Sequence, residues 1–226
     1  VQTFTIGFDD PAYDETREAR QVAALFGCEH RERRVAPDAV ALLDRIVAHH
    51  GEPFADSSAI PTFLVSELAG AHVKVVLTGD GGDESFAGYD RHRALELARR
   101  WDHPLVRGAL GAAAAAANAL PAGGHRSLRT RLARFAAALS APPRERNHYG
   151  PAGDGPLPLN EALVLDVEKY LPDDILVKLD SASMASSLEA RSPFLDRWLM
   201  QYAAALPGAL KLERGRGKRV LRAALA

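Results

Sequence analysis

The run Val75-Val76-Leu77-Thr78-Gly79-Asp80-Gly81-Gly82-Asp83-Glu84-Ser85-Phe86-Ala87-Gly88-Tyr89 constrains this chain more than any other stretch. An apolar strand ends in a glycine-rich turn that carries three acids and leads into a helix. In an open parallel sheet, ligands bind beyond the carboxyl ends of the strands, and glycine lets backbone approach a phosphate closely. Asp80, Asp83 and Glu84 add oxygen donors suited to Mg²⁺, the usual companion of a phosphate-rich ligand. Three acids within five residues repel one another unless a cation offsets them, so a plain surface turn is the weaker reading.

The first hundred residues alternate between strand and helix signals. Gln2 to Phe8 reads as a strand, and Asp10-Pro11 and Asp14 offer start signals for a helix that ends at Gly27. His30 to Val35 reads as a short strand. A helix from Pro37 follows, with Val40, Leu43, Ile46 and Val47 at helical spacing and Gly51 as its stop. The loop from Glu52 to Pro61 leads into a helix to Gly70, and Val73 to Leu77 is the next strand. Strands separated by helices imply an α/β fold with a doubly wound parallel sheet.

Beyond Asp90 the character is mainly helical: Arg91 to Arg100, an alanine-rich Leu110 to Leu120, then Leu159 to Tyr170 and Ile175 to Leu188. Residues 141–158, rich in Pro and Gly, read as a loop too short to separate two domains. The expected organisation is therefore one partial domain over 1–226, with an α/β nucleotide-binding part at 1–100 and a helical part at 101–226.

With 47% hydrophobic residues and a net charge of −1, the chain can bury a core and has no global attraction to nucleic acid or anionic membrane. No apolar run reaches the ~18 residues of a membrane span. The single cysteine, Cys28, has no internal disulfide partner, which fits the cytoplasm; after Gly27 it reads as a small half-buried residue rather than a nucleophile. His49 and His50 are neighbours that point apart on a helix, so a shared metal site is not expected of them, and His30 reads as structural.

Several segments, in order, resemble the synthetase domain of the glutamine-hydrolysing asparagine synthases. Residues 77–89 follow the family's strand-turn motif, with Thr78 where serine is usual. Phe4-Thr5-Ile6-Gly7-Phe8, the stretch from Glu52 to Thr62, Ser183 to Asp196, and Gly217-Lys218-Arg219-Val220-Leu221-Arg222 resemble four more. The resemblance implies an adenine-nucleotide alpha hydrolase-like fold with ATP and Mg²⁺ as cofactors. It implies a ligase that adenylates the side-chain carboxylate of aspartate and releases AMP and pyrophosphate when glutamine-derived ammonia attacks. A homodimer is compatible with it for the full-length protein. The family's Ser-Gly-Gly-x-Asp-Ser pyrophosphate loop and its glutaminase domain are not in residues 1–226. The chain is accordingly expected to be a fragment that does not form aspartyl-adenylate alone.

Carried over position by position, the resemblance makes Asp83 the Mg²⁺ ligand. It makes Asp80 a catalytic acid that aligns the reacting groups or takes a proton from ammonia, and Lys218 the cation that stabilises developing negative charge; Glu84 is the second expected catalytic acid, as a substrate or metal contact. Ile6, Thr78, Gly79 and Gly81 fall at nucleotide-contacting positions, although Ile6 reads equally well as a core strand residue. Tyr89 and Asp180 are the candidate substrate contacts. On spacing alone, Arg214, Arg216, Lys218, Arg219 and Arg222 read as a solvated basic cluster. Asp180, Ser183 and Ser187 are spaced to share a helix face, and Arg191 and Asp196 to pair across Pro193.

One departure is Asp180-Ser181-Ala182-Ser183-Met184, where the family usually has Asp-Arg-x-(Ser/Thr)-Met. Losing that guanidinium removes a possible carboxylate or phosphate clamp, which leaves the acceptor open. The alternatives are a related amidotransferase or cyclase acting on another carboxylate, a non-catalytic remnant or split subunit that needs a partner chain, and an unrelated nucleotide-binding module.

Overall fold

The computed structural model describes residues 1–11, 13–35, 39–100, 109, 112 and 158–225. The expected helix start at Pro37, the alanine-rich helix and nearly all of the 141–158 loop lie outside them. The chain divides into two compact units, residues 1–79 with 172–193, and residues 80–171 with 194–226.

The first unit begins with β1 (Gln2–Gly7), α1 (Thr16–Leu25) and β2 (Glu29–Arg34). β1 and β2 pair in parallel from Gln2↔Glu29 to Gly7↔Arg34. β2 reads Glu-His-Arg-Glu-Arg-Arg, and its charges find partners nearby: Arg20 donates to Glu32 at 2.7 Å, Arg33 to Glu67 at 3.0 Å and Arg34 to Asp14 at 2.8 Å. A strand so charged discourages a further strand from pairing with it. α2 (Ala39–His50) and α3 (Ala59–Gly70) follow, and then β3 (Val75–Leu77).

The helical stripe of α2 packs Ile46 against Ala59 and Phe63 of α3, with Ala182 completing the cluster. Ala182 lies on α7 (Val177–Met184), which precedes β4 (Glu189–Arg191). β3 and β4 pair in parallel, Val75↔Glu189 through Leu77↔Arg191. The parallel pairing expected of an α/β chain is present. Among the described residues it takes the form of two separate two-stranded ladders, β1-β2 and β3-β4.

The second unit opens on α4 (Gly82–Phe86) and α5 (Asp90–Arg100) and resumes at α6 (Leu159–Leu165). The helix expected from Leu159 to Tyr170 keeps its α form only to Leu165; a π-helix spans Asp166–Leu176. Pro172 lies inside it; proline has no N–H to donate and its ring crowds the carbonyl four residues back, so a regular α-helix is not continued through it.

After the short 3₁₀ turn Pro193–Leu195 come α8 (Arg197–Ala205), α9 (Gly208–Lys211) and α10 (Arg219–Ala224). Two clusters hold this unit: Ala87 with Leu159, Leu163 and Leu212, and Phe86 with Ala203 and Leu206. Both seat the end of α4, so the carboxylate turn stands on the most buried part of its unit. Among the described residues no helix is long and apolar enough to cross a membrane.

Candidate active site

In the first unit, β3 delivers its last residues to a fixed point. Thr78 N–H donates to the Arg191 carbonyl at 2.9 Å, and the Thr78 hydroxyl lies 2.7 Å from that of Ser192. Gly79 is exposed just beyond, and Ile6 is half-buried in β1 opposite Arg33. Asp180 is exposed on α7, where its carbonyl accepts from the Ser183 hydroxyl at 3.1 Å. Ser187 falls past the end of α7 with φ 51°, so it does not share their helix face.

In the second unit, Asp80 is half-buried and Gly81 turns the chain at φ 87°, where an L side chain is strained; a Cβ there would also overlap Leu195. α4 then presents Asp83 and Glu84 within its first turn. Lys218 reaches this turn from the segment before α10. Its Nζ lies 2.9 Å from Asp83 Oδ1, and its backbone N–H donates to the Phe86 carbonyl at 3.0 Å. Lys218 itself holds φ 54°, in the left-handed region that non-glycine residues seldom occupy.

The approach depends on two missing side chains. A Cβ on Gly88 would overlap the Asp83 carboxylate, and one on Gly217 would overlap the Ala87 carbonyl. The spacing of the basic cluster suggested a solvated face; the fold instead selects Lys218 from it. Arg219 pairs with Glu213 at 3.1 Å and Arg222 donates to the Gly217 carbonyl at 3.1 Å, fixing the flank of the Lys218 turn.

Glu84 is 2% exposed, and its carboxylate accepts a hydrogen bond from the Tyr89 hydroxyl. Burial, with the Glu84 carboxylate at the end of that bond, pushes the Tyr89 phenol well above its ordinary range, so Tyr89 stays protonated as a donor. Arg91 lies over the rings of Tyr89 and Tyr170, 4.0 and 4.6 Å from their centroids, and donates to Asp166 at 2.9 Å. His92, 2.7 Å from the same carboxylate, completes a buried group behind Tyr89. Burial pushes the Asp166 carboxyl up, but the bonds from His92 and Arg91 outweigh it and hold the group below its usual range.

Asp83, Glu84 and Tyr89 therefore lie together on and just after the glycine turn, and Lys218 joins Asp83 from the segment before α10. Among the described residues no group of three or more His, Cys, Asp or Glu is arranged to hold a metal ion. Asp83 offers a single hard oxygen ligand, which fits an Mg²⁺ that takes most of its shell from phosphates and water. The histidines have structural places: His50 Nδ1 lies 3.0 Å from the Ser181 hydroxyl, and the His49 ring packs on Phe63. Arg191 donates to Glu189 at 2.8 Å, and Asp196 caps α8 by accepting from the Trp198 and Leu199 N–H groups. Cys28 is a half-buried free thiol, as its position suggested.

Three features escaped the sequence. Ser192 is the anchor of Thr78. Lys178 is buried on α7 and donates to Asp56 and, at 2.6 Å, to Ser58, tying the loop before α3 to that helix. Burial raises the Asp56 carboxyl, but its bonds to Lys178 and Ser58 leave it below its usual range; burial and the neighbouring Asp56 push Asp174, 4.0 Å from Lys178, upward. Lys211 is buried in the other unit. The available signal was a lone charge inside an apolar run, as in Ile175-Leu176-Val177-Lys178-Leu179 and Ala209-Leu210-Lys211-Leu212.

The sequence profile of the asparagine synthase family matches residues 1–226, the whole chain. The chain belongs to the asparagine synthase family. It is 30% identical over 252 residues to asparagine synthetase [glutamine-hydrolyzing] 1 of Bacillus subtilis, covering 99% of this chain and 39% of that protein. It is 34% identical over 248 residues to a putative asparagine synthetase [glutamine-hydrolyzing] of Mycobacterium tuberculosis, with 99% and 38% covered. A more distant relative, the amidase chyE of Penicillium rubens, is 28% identical over 258 residues, with 94% and 38% covered. The chain thus spans about two fifths of the length of the curated relatives it matches.

Proposed function

We propose that these 226 residues are one partial synthetase domain of an ATP-dependent carbon–nitrogen ligase that makes asparagine. The observation that carries this reading is the Asp83–Lys218 pair at 2.9 Å on the glycine turn, in a chain that matches the family throughout. An amide cannot form from a carboxylate and ammonia at neutral pH unless the carboxylate is activated. In this reading the aspartate side-chain oxygen attacks the α-phosphorus of ATP, pyrophosphate leaves with the bonding pair, and ammonia attacks the acyl carbon and expels AMP.

Lys218 stabilises the negative charge that develops at phosphorus and at the acyl carbon. Asp80 aligns the reacting groups and receives a proton from the attacking ammonia, and Glu84, held by Tyr89, is a substrate contact. Tyr89 and Asp180 are the substrate contacts. Thr78, Gly79 and Gly81 face the nucleotide, and Ile6 packs against its adenine. Asp83 is the protein ligand for Mg²⁺, which would neutralise triphosphate charge when bound. The two parallel ladders are read as parts of one doubly wound sheet, and ammonia as arriving from a glutaminase domain of the parent protein, a cytoplasmic homodimer.

A second acceptor carboxylate is the competing reading. Ser181 stands where the family usually has arginine, and it is engaged with His50 rather than free to clamp a substrate. The test is aspartate-dependent exchange of labelled pyrophosphate into ATP by the full-length protein, with Lys218→Met as the control. Exchange that falls by about 10²–10³ in the variant is expected. Absence of exchange with aspartate, or exchange indifferent to Lys218, overturns the assignment.

A further inference from the structure

A half-open cavity of about 140 Å³ lies in the second unit, and of its lining residues the reaction proposed above uses only Glu84. Its apolar wall is Leu163 and Val164 of α6, Val167 of the π-helix, and Met200 and Ala204 of α8. Its polar groups are Lys211, Asn160, Ser85, Glu84 and Glu168.

Lys211 is 1% exposed, yet among the described residues its ammonium has one hydrogen bond, to Asn160 Oδ1 at 3.0 Å, and no ion pair. Asn160 is itself oriented, because its Nδ2 donates to the Leu206 carbonyl at 3.0 Å. An ammonium has three donors, and burying one without a counter-charge is costly. Burial accordingly lowers the Lys211 pKa with nothing to offset it. The two remaining donors call for an anionic oxygen brought from outside.

A mineral anion would satisfy Lys211 but leave five apolar residues without a partner and meet two carboxylates. A simple fatty acid would use the wall but not the acids. We infer that this cavity binds a small α-amino acid with an apolar side chain, its carboxylate on Lys211, its ammonium toward Glu84 and Glu168, and its side chain against Leu163, Val164, Val167 and Met200. The volume is close to that of the ~150 Å³ cavity known to take a benzene ring, so a ligand of valine's size fits it. Aspartate is excluded, because its second carboxylate would face either hydrocarbon or the two glutamates. The site shares Glu84 with the proposed reaction, but its test reads binding and not turnover.

The test is calorimetric titration of the full-length protein with valine, alanine, isobutyrate, isobutylamine and aspartate. Saturable binding of valine or alanine is expected, with isobutyrate, isobutylamine and aspartate weaker by roughly tenfold or more. Lys211→Met should weaken valine binding by a similar factor, and Ala204→Met, which fills the cavity from α8 and keeps the lysine, should abolish it. Far-UV circular dichroism identifies any variant that fails to fold, and the ligand series then decides alone. No saturable binding of valine or alanine, isobutylamine binding as well as valine, or folded Lys211→Met binding unchanged would each overturn the assignment.

Discussion

Gly88→Ala isolates the close approach that builds the lysine–carboxylate pair. Gly88 does not hold a positive φ, so alanine adds no dihedral strain; its methyl simply overlaps the Asp83 carboxylate and comes within 2.5 Å of Lys218 Cε. The pair must separate. Its side chains are 33% and 36% exposed, so the ion pair itself contributes only about 0.5 kcal/mol. The bonds from Gly88 N–H to the Asp83 carbonyl and from Lys218 N–H to the Phe86 carbonyl, both 3.0 Å, are worth roughly 1 kcal/mol each. The expected loss of stability is about 1–3 kcal/mol.

A domain with a typical stability of about 5–15 kcal/mol stays folded after such a loss. Activity should suffer far more, because a misplaced charge-stabilising group costs on the order of 10²–10³ in kcat. Guanidinium unfolding and pyrophosphate exchange, both on the full-length protein, separate the two effects. The double variant with Lys218→Met should be no slower than Lys218→Met alone, since both changes remove one interaction. A Gly88→Ala enzyme that keeps exchange within about threefold of the parent would refute the reasoning, because ~0.7 kcal/mol cannot represent a displaced catalytic cation.

Lys178→Met should destabilise by about 3 kcal/mol in urea unfolding, because it leaves Asp56 and Asp174 with no cation between them, and a loss below about 1 kcal/mol would contradict the clamp. For Asp166 the folded-state pKa is depressed, so its contribution is fully present above the unfolded value of about 3.9 and disappears as pH falls through the lower folded value. Urea midpoints of the parent and Asp166→Asn should therefore differ at pH 6 and converge as pH drops below ~4; a gap that stays constant would show that protonation of this carboxyl is not what matters.

The parts of the chain that read correctly are those where one signal is local. The strand and turn from Val75 to Tyr89 are legible because an apolar run, glycines and acids follow one another directly; α5 keeps its expected bounds within a residue, and α3 ends at Gly70 as expected but starts at Ala59, inside the expected loop. Lys218 is different. Its charge neighbours make it look solvated, and only the resemblance singles it out, since its contact with Asp83 depends on a Cβ absent from Gly88.

Lys178 could have been suspected from period alone. With Ile175 and Ala182 it falls on the buried stripe of its helical segment, where a charge must be paired or neutralised. No such periodicity was available for the ladder between β3 and β4, because pairing between distant strands is set by tertiary contacts. The end of α7 before Ser187 was equally hidden, as a non-glycine residue at φ 51° has no strong sequence mark.

The Thr78–Ser192 contact closes a loop of 114 residues. During synthesis β3 leaves the ribosome long before β4 exists, so Val75, Val76 and Leu77 must wait for the strand that is their partner among the described residues. Closing a loop of that length costs entropy before it returns any hydrogen bond, and pairings of this kind are slow to form and prone to aggregation. The end of β3 at Thr78 is thus among the last parts of its unit to become ordered, and a cell that makes this protein in quantity has reason to shield that strand with a chaperone.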